Sequence, residues 1–269
     1  MSNAYVHGYS KRENQRLEDQ ATTLTELLHA DTLFPEGDHV LEAGCGIGSQ
    51  TITVARKNPK TLFTSIDLSE VSLEQARLKI ESAHLSNVQF QHADIFHLPF
   101  EPETFDHVFV CFVLEHLRDP VTSLLCLKKV MKPGGTVTVI EGDHGSVYFY
   151  PESEEARQAI RCQIELQAQA GGNALIGREL YPLLSQAGFI DIRVSPRTVY
   201  VDSSRPELVD GFTRKTFTAM IEGVKKQALE QKLITEAIFD KGIRDMYRTT
   251  ESDGTFCYTF FKAFAAKSD

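Results

Sequence analysis

Apolar positions along the chain follow two different periods. Between Asp38 and Glu141, short runs rich in β-branched and aromatic residues alternate with longer segments whose apolar positions recur every three or four residues. Such alternation is the signature of a parallel sheet covered by helices on both faces. The strands predicted are residues 39–43, 62–67, 88–93, 107–112 and 136–141. Over residues 69–84, Leu73, Ala76, Ile80 and Ala83 share one helical face, and Ser69 supplies an N-cap. Over 120–131, Val121, Leu124, Leu127 and Met131 do the same, and Lys132-Pro133-Gly134-Gly135 predicts a stop followed by a turn.

Upstream, Leu17, Ala21, Leu24 and Leu28 predict one amphipathic helix over 11–30 that packs on the core. Downstream come a helix over 154–170, the breaker Gly171-Gly172, and a helix over 178–187 closed by Gly188. Two further strands, 189–201 and 255–266, flank a long helical stretch in which Phe217, Met220, Ile221 and Val224 form a stripe. The organisation expected is an N-terminal helical extension, 1–36, and an α/β domain, 37–269, with helical insertions about 146–175 and 203–250. The insertion bearing Phe212, Phe217, Met220 and Tyr247 is a candidate lid, substrate pocket or dimer surface, against the plainer reading of an apolar stripe packed on the core. No internal repeat is visible.

Composition narrows the classes. With 269 residues, 42% hydrophobic and 24% charged, the chain is an ordinary globular protein. No apolar run is long enough for a membrane span, and the first residues lack the apolar core of a signal peptide, so a cytoplasmic location and no membrane partner are expected. A net charge of −9 opposes nucleic acid as a partner. The five cysteines are scattered, with no Cys-x-x-Cys pair, which argues for reduced thiols and no metal.

Candidate chemistry concentrates at Val40-Leu41-Glu42-Ala43-Gly44-Cys45-Gly46-Ile47-Gly48, a strand entering a glycine-rich turn that opens a helix at Ser49-Gln50-Thr51. Glycines permit positive φ and bare backbone, and the unpaired N–H groups of a helix start favour an electron-rich ligand. The same turn also serves many α/β proteins as a plain connector. Asp67 ends the second strand, where a carboxylate can accept both hydroxyl protons of a ribose; alternatively it caps the next helix. Asp94-Ile95 ends the third, suiting an exocyclic amine beside an apolar purine face, or a simple turn. All three lie at carboxyl ends of successive strands, the edge at which open parallel sheets bind ligands.

A dinucleotide fingerprint is G-x-G-x-x-G, whereas the spacing here is G-x-G-x-G. Glu42 adds negative charge beside the loop, which suits an ammonium and a sulfonium better than phosphates, unless it merely binds local amides. An NAD(P)-dependent oxidoreductase is therefore disfavoured.

Glu42-Ala43-Gly44-Cys45-Gly46-Ile47-Gly48 resembles the first motif of class I S-adenosylmethionine-dependent methyltransferases, and Asp67 and Asp94-Ile95 match that family's ribose-side and adenine-side positions. Phe105-Asp106-His107-Val108, Val113-Leu114-Glu115-His116-Leu117 and the stretch Leu127 to Gly135 resemble its fourth strand and the approach to its fifth. The resemblance implies a Rossmann-like α/β fold with a seven-stranded, mostly parallel sheet ordered 3-2-1-4-5-7-6, the last strand antiparallel, and helices on both faces. It implies S-adenosylmethionine as cofactor, with Gly44, Cys45, Gly46 and Gly48 on the methionyl part and Glu42 near its amine. Gln50 and Thr51 would bind the cofactor from the helix start, with Asp67 on the ribose, Leu68 and Ile95 beside the adenine, Asp94 on its amine, and Cys111 and Phe112 under the sulfonium.

Methyl transfer from a sulfonium is an in-line displacement with a neutral leaving group, so positioning suffices unless the acceptor must lose a proton. Candidates for that proton are His116 and His144, after the fourth and fifth strands, with Tyr9 folding over the cofactor; for each histidine the plain alternative is packing or hydrogen bonding. The acceptor expected is a small organic molecule, and a homodimer is compatible with the insertion. A non-catalytic S-adenosylmethionine-binding regulatory protein is the other reading.

Overall fold

The computed structural model describes residues 11–268. In chain order the elements are α1 (Lys11–Thr23), α2 (Thr25–His29), β1 (His39–Ala43), α3 (Ser49–Lys57), β2 (Leu62–Asp67), α4 (Glu70–Ser82), β3 (Val88–His92), β4 (Phe105–Cys111), α5 (Pro120–Val130) and β5 (Met131–Gly142). There follow β6 (Tyr148–Tyr150), α6 (Glu154–Gln169), α7 (Leu180–Gln186), β7 (Ile190–Asp202), α8 (Pro206–Leu208), a π-helical segment (Val209–Thr218), α9 (Ala219–Gly223), α10 (Lys225–Glu230), α11 (Glu236–Arg248) and β8 (Thr255–Ala266). The chain divides into two compact units, one of Leu28–Glu141, Ile176–Pro196 and the residues from Phe261, the other of the residues up to Leu27, Gly142–Leu175 and Arg197–Phe260.

The sheet runs β3-β2-β1-β4-β5-β8-β6, with β7 also paired to β8. Strands β1 to β5 are parallel, and β8 and β7 follow β5 as the expected order requires. Tyr148–Tyr150 adds an eighth strand, antiparallel to β8, that three residues of pattern are too few to announce. Inner strands β1 and β4 are buried along almost their whole length, whereas edge strand β3 is half exposed. In the first unit Leu41, Phe105, Val108, Val110, Leu124, Leu127, Val137 and Val139 are essentially inaccessible, each large side chain contributing about 1.5–3 kcal/mol. Registers Ala43↔Ile66, Asp67↔His92, Ala43↔Val110 and Cys111↔Ile140 align the strand tips on one edge.

Three local predictions are revised. The single helix over 11–30 breaks at Leu24, where Thr25 Oγ1 donates to the Ala21 carbonyl at 2.7 Å and competes with the helical ladder. Residues 132–135 are a bulge inside β5, because Phe105 pairs with Met131 while His107 pairs with Thr136. Lys132 then reaches Asp106 at 2.7 Å, and Asp106 accepts from the His39 amide at 3.0 Å, which ties the bulge to β4 and β1. Residues 206–223 wind through a π-helical segment; there Gly211 leaves no room for a Cβ against Thr23, so its lack of a side chain admits α1.

In the second unit Phe212, Phe217 and Met220 are buried, with Phe217 5.0 Å from Phe256 and 5.4 Å from Tyr258 between ring centroids. These side chains pack inside that unit, while Tyr247 stays 37% exposed. Among the described residues no helix is long and apolar enough to cross a membrane.

Candidate functional site

Strand β1 delivers the chain into its glycine turn at the sheet edge. Gly44, Gly46 and Gly48 have φ of +77°, +53° and +76°, the left-handed region that side chains disfavour. A Cβ on Gly44 would lie 2.6 Å from Val113 Cγ2 and one on Gly48 3.0 Å from Ala76 Cβ, whereas one on Gly46 would meet open space. The first and third glycines therefore let the loop pack against the turn after β4 and against α4; the middle one presents bare backbone. The Gly44 and Cys45 amides donate to the Ile66 carbonyl at 2.8 and 2.9 Å. No side chain caps α3, whose N-cap is Gly48.

Asp67 joins the loop directly, its Oδ2 accepting from the Gly46 amide at 2.8 Å and its Oδ1 from the Ser69 amide at 2.8 Å. The helix cap is Ser69, whose hydroxyl accepts from Ser72, so the capping alternative for Asp67 falls away. With the Leu68 amide also facing the carboxylate, accepting capacity remains for a further donor. Burial raises the Asp67 pKa against these amide bonds. Asp94 makes a local turn, accepting from the Phe96 amide at 2.9 Å and lying 3.2 Å from His97 Nδ1. Leu68 is 63% exposed, and Ile95 packs half-buried on the core.

Below the loop the residues are buried. Glu42 accepts from the Ser65 hydroxyl at 2.6 Å, and burial pushes its pKa up to about 7, partly offset by that hydroxyl. The fixed negative charge expected there is thus weakened. Thr51 is buried, and Gln50 is turned to His29, its Oε1 2.8 Å from Nε2. Cys45 and Cys111 are buried thiols, pushed well above the ordinary range by burial and then by neighbouring carboxyls. Phe112 has φ of +59°, a strained conformation for a bulky side chain.

The proton-transfer candidates His116 and His144 belong to different units. His116 lies after β4, 3.5 Å from Glu115. His144 belongs to the second unit, buried, with Nδ1 2.9 Å from the Tyr258 hydroxyl and its ring edge-on to Phe217. Tyr9 lies outside the described residues. Two groups near the loop escaped sequence reasoning. Lys262 Nζ donates to Thr32 Oγ1 at 2.7 Å, Thr32 lies 3.3 Å from His29 Nδ1, and His29 holds Gln50, a relay that begins more than 200 residues from its end. Glu141, fully buried at the tip of β5, accepts at Oε1 from the Val113 and Leu114 amides at 3.0 and 2.7 Å. Its position, an acid at a strand tip, is the same signal that singles out Asp67.

Residues 35–188, more than half of the chain, match the family model described as a methyltransferase domain. An uncharacterized 37.1 kDa transposon protein of Streptomyces fradiae is 33% identical over 190 residues, 70% of this chain and only 54% of that protein. The demethylmenaquinone methyltransferase of Staphylococcus aureus is 31% identical over 172 residues, 59% of this chain and 70% of that enzyme. The phosphoethanolamine N-methyltransferase 2 of Haemonchus contortus, solved with S-adenosylhomocysteine, superposes with a TM-score of 0.56 at 19% identity, covering 93% of this chain and 53% of that one, a likeness of fold.

Proposed function

Because the chain belongs to the methyltransferase-domain family, we propose that it transfers the methyl group of S-adenosylmethionine to a small organic acceptor. The observation that carries this reading is the loop itself: three glycines at positive φ, open space over Gly46, and Asp67 bonded to that same residue. The cofactor would supply an electrophilic methyl on a sulfonium. The loop backbone would hold its methionyl part, Asp67 the ribose hydroxyls, Leu68 and Ile95 the adenine faces, and Asp94 the adenine amine. Buried, protonated Cys45 and Cys111 would offer no competing thiolate near the sulfonium.

The chain's own contribution to the chemistry would be alignment and exclusion of water, since the leaving thioether is neutral. His116 is the candidate to take a proton where the acceptor must lose one. The acidic balance of the chain favours a small molecule over a polyanion, as do the acceptors in the names of the two methyltransferases above.

Isothermal calorimetry with S-adenosylhomocysteine tests the reading. Wild-type protein should bind, and Asp67→Ala should weaken binding by about 1–3 kcal/mol through loss of charged hydrogen bonds. Undiminished affinity in that variant would remove the ribose assignment. An acceptor screen that follows release of S-adenosylhomocysteine then reads turnover.

A further inference from the structure

Glu141 is not among the residues expected to touch the cofactor, yet it organises the wall against which the glycine loop rests. Its Oε1 takes the amides of Val113 and Leu114, and the Glu115 amide also faces the carboxyl group. Three successive donors of one tight turn thus converge on a single buried side chain from the neighbouring strand. The turn needs such an anchor: it follows Phe112 at φ +59° and opens the short 3₁₀ helix Leu114–His116, whose N-cap Val113 offers no side-chain oxygen. The other carboxyl oxygen has no hydrogen-bond partner among the described residues, so amide acceptance is the work visible for this group.

The turn has one further contact of consequence. Val113 closes the space beside Gly44, where an added Cβ would fall 2.6 Å from Cγ2. Movement of the Val113 main chain therefore moves the surface that defines where the first loop glycine sits. We infer that Glu141 is a positioning residue for the methionyl half of the cofactor cleft, acting through the Val113 main chain and side chain on Gly44. This rests on the assignment of the loop to S-adenosylmethionine. Acceptance by one oxygen is what the role requires, so an amide carbonyl at the same place fulfils it and a negative charge is not needed.

The test compares two ligands that share the adenosine and differ in the amino-acid tail, S-adenosylhomocysteine and 5′-methylthioadenosine, by calorimetry at fixed pH. Glu141→Ala should weaken S-adenosylhomocysteine about ten-fold while leaving methylthioadenosine within about two-fold, because only the tail half loses its wall. Glu141→Gln should restore most of the loss. Val113→Ala, which leaves the buried carboxyl untouched, should show the same split and serves if Glu141→Ala does not fold. Equal losses for both ligands, no loss, or a glutamine variant as impaired as alanine would overturn the inference. If wild-type protein binds neither ligand, the cofactor reading itself falls; if Asp67→Ala weakens both ligands while Glu141→Ala and Val113→Ala change nothing, that reading stands and this one alone is wrong.

Discussion

Glu42 sits close to the boundary between a charged and a neutral side chain. Burial raises its pKa from 4.5 to about 7, so the folded protein retains a proton that the unfolded chain releases between those values. Stability contributed by the neutral form is complete below pH 4.5 and is lost as pH rises through 7, a total of about 3 kcal/mol. Glu42→Gln stays neutral and still accepts from Ser65 through its carbonyl. The melting temperature of this variant should therefore gain on wild type between pH 5 and pH 8, and a gap independent of pH would show that Glu42 does not titrate there. At this scale the placement of Asp67 and Asp94 was legible from the sequence because each lies directly at the end of a β-rich run. The neutralising surroundings of Glu42 were not, since Ser65 comes beside it only through the pairing of β1 with β2.

The loop from Gly44 to Gly48 is the element on which strain and packing meet. Gly44→Ala would place a methyl group against Val113 in a backbone conformation that disfavours any Cβ, at a combined cost of about 2–4 kcal/mol. Chemical denaturation should show that loss, with S-adenosylhomocysteine affinity falling as well. Gly46→Ala meets no neighbour, so its cost should be nearer the backbone penalty of about 1–2 kcal/mol, a contrast that comparative melts would read. The regular elements were the most legible part of the fold: β1, β2 and β8 have the predicted ends, and Ser69 caps α4. Two departures came where a tertiary partner outbid local chemistry. Lys132-Pro133-Gly134-Gly135 has turn composition but is held in β5 as a bulge by Asp106, and Tyr148–Tyr150 becomes a strand only because β8 offers an edge.

At the scale of the whole molecule, the unit that carries the loop is also tied together by a buried polar relay. His29 is inaccessible, and burial lowers its pKa from 6.5 to about 4, with the charges of Lys262 and Lys57 acting in the same direction. The neutral ring is what Gln50 and Thr32 hold. Stability from this group is complete above pH 6.5 and is lost as pH falls through 4, by about 3 kcal/mol. An imidazole resonance of His29 that remains neutral at pH 5.5, where an exposed histidine is mostly charged, would confirm the sign.

The sequence by itself determined the alternation of strands and helices, the loop glycines and the acids at two strand tips. Those properties depend on residues a few positions apart, where hydrophobic period and backbone freedom act without help from the rest of the chain. Tertiary structure alone decided that Glu141 anchors the turn after β4, that Gln50 faces His29, and that Lys262 reaches Thr32. Each of those contacts joins segments from 21 to 230 residues apart, and only the closing of the sheet brings their polar atoms within hydrogen-bonding distance in a buried place where an unmade bond is costly.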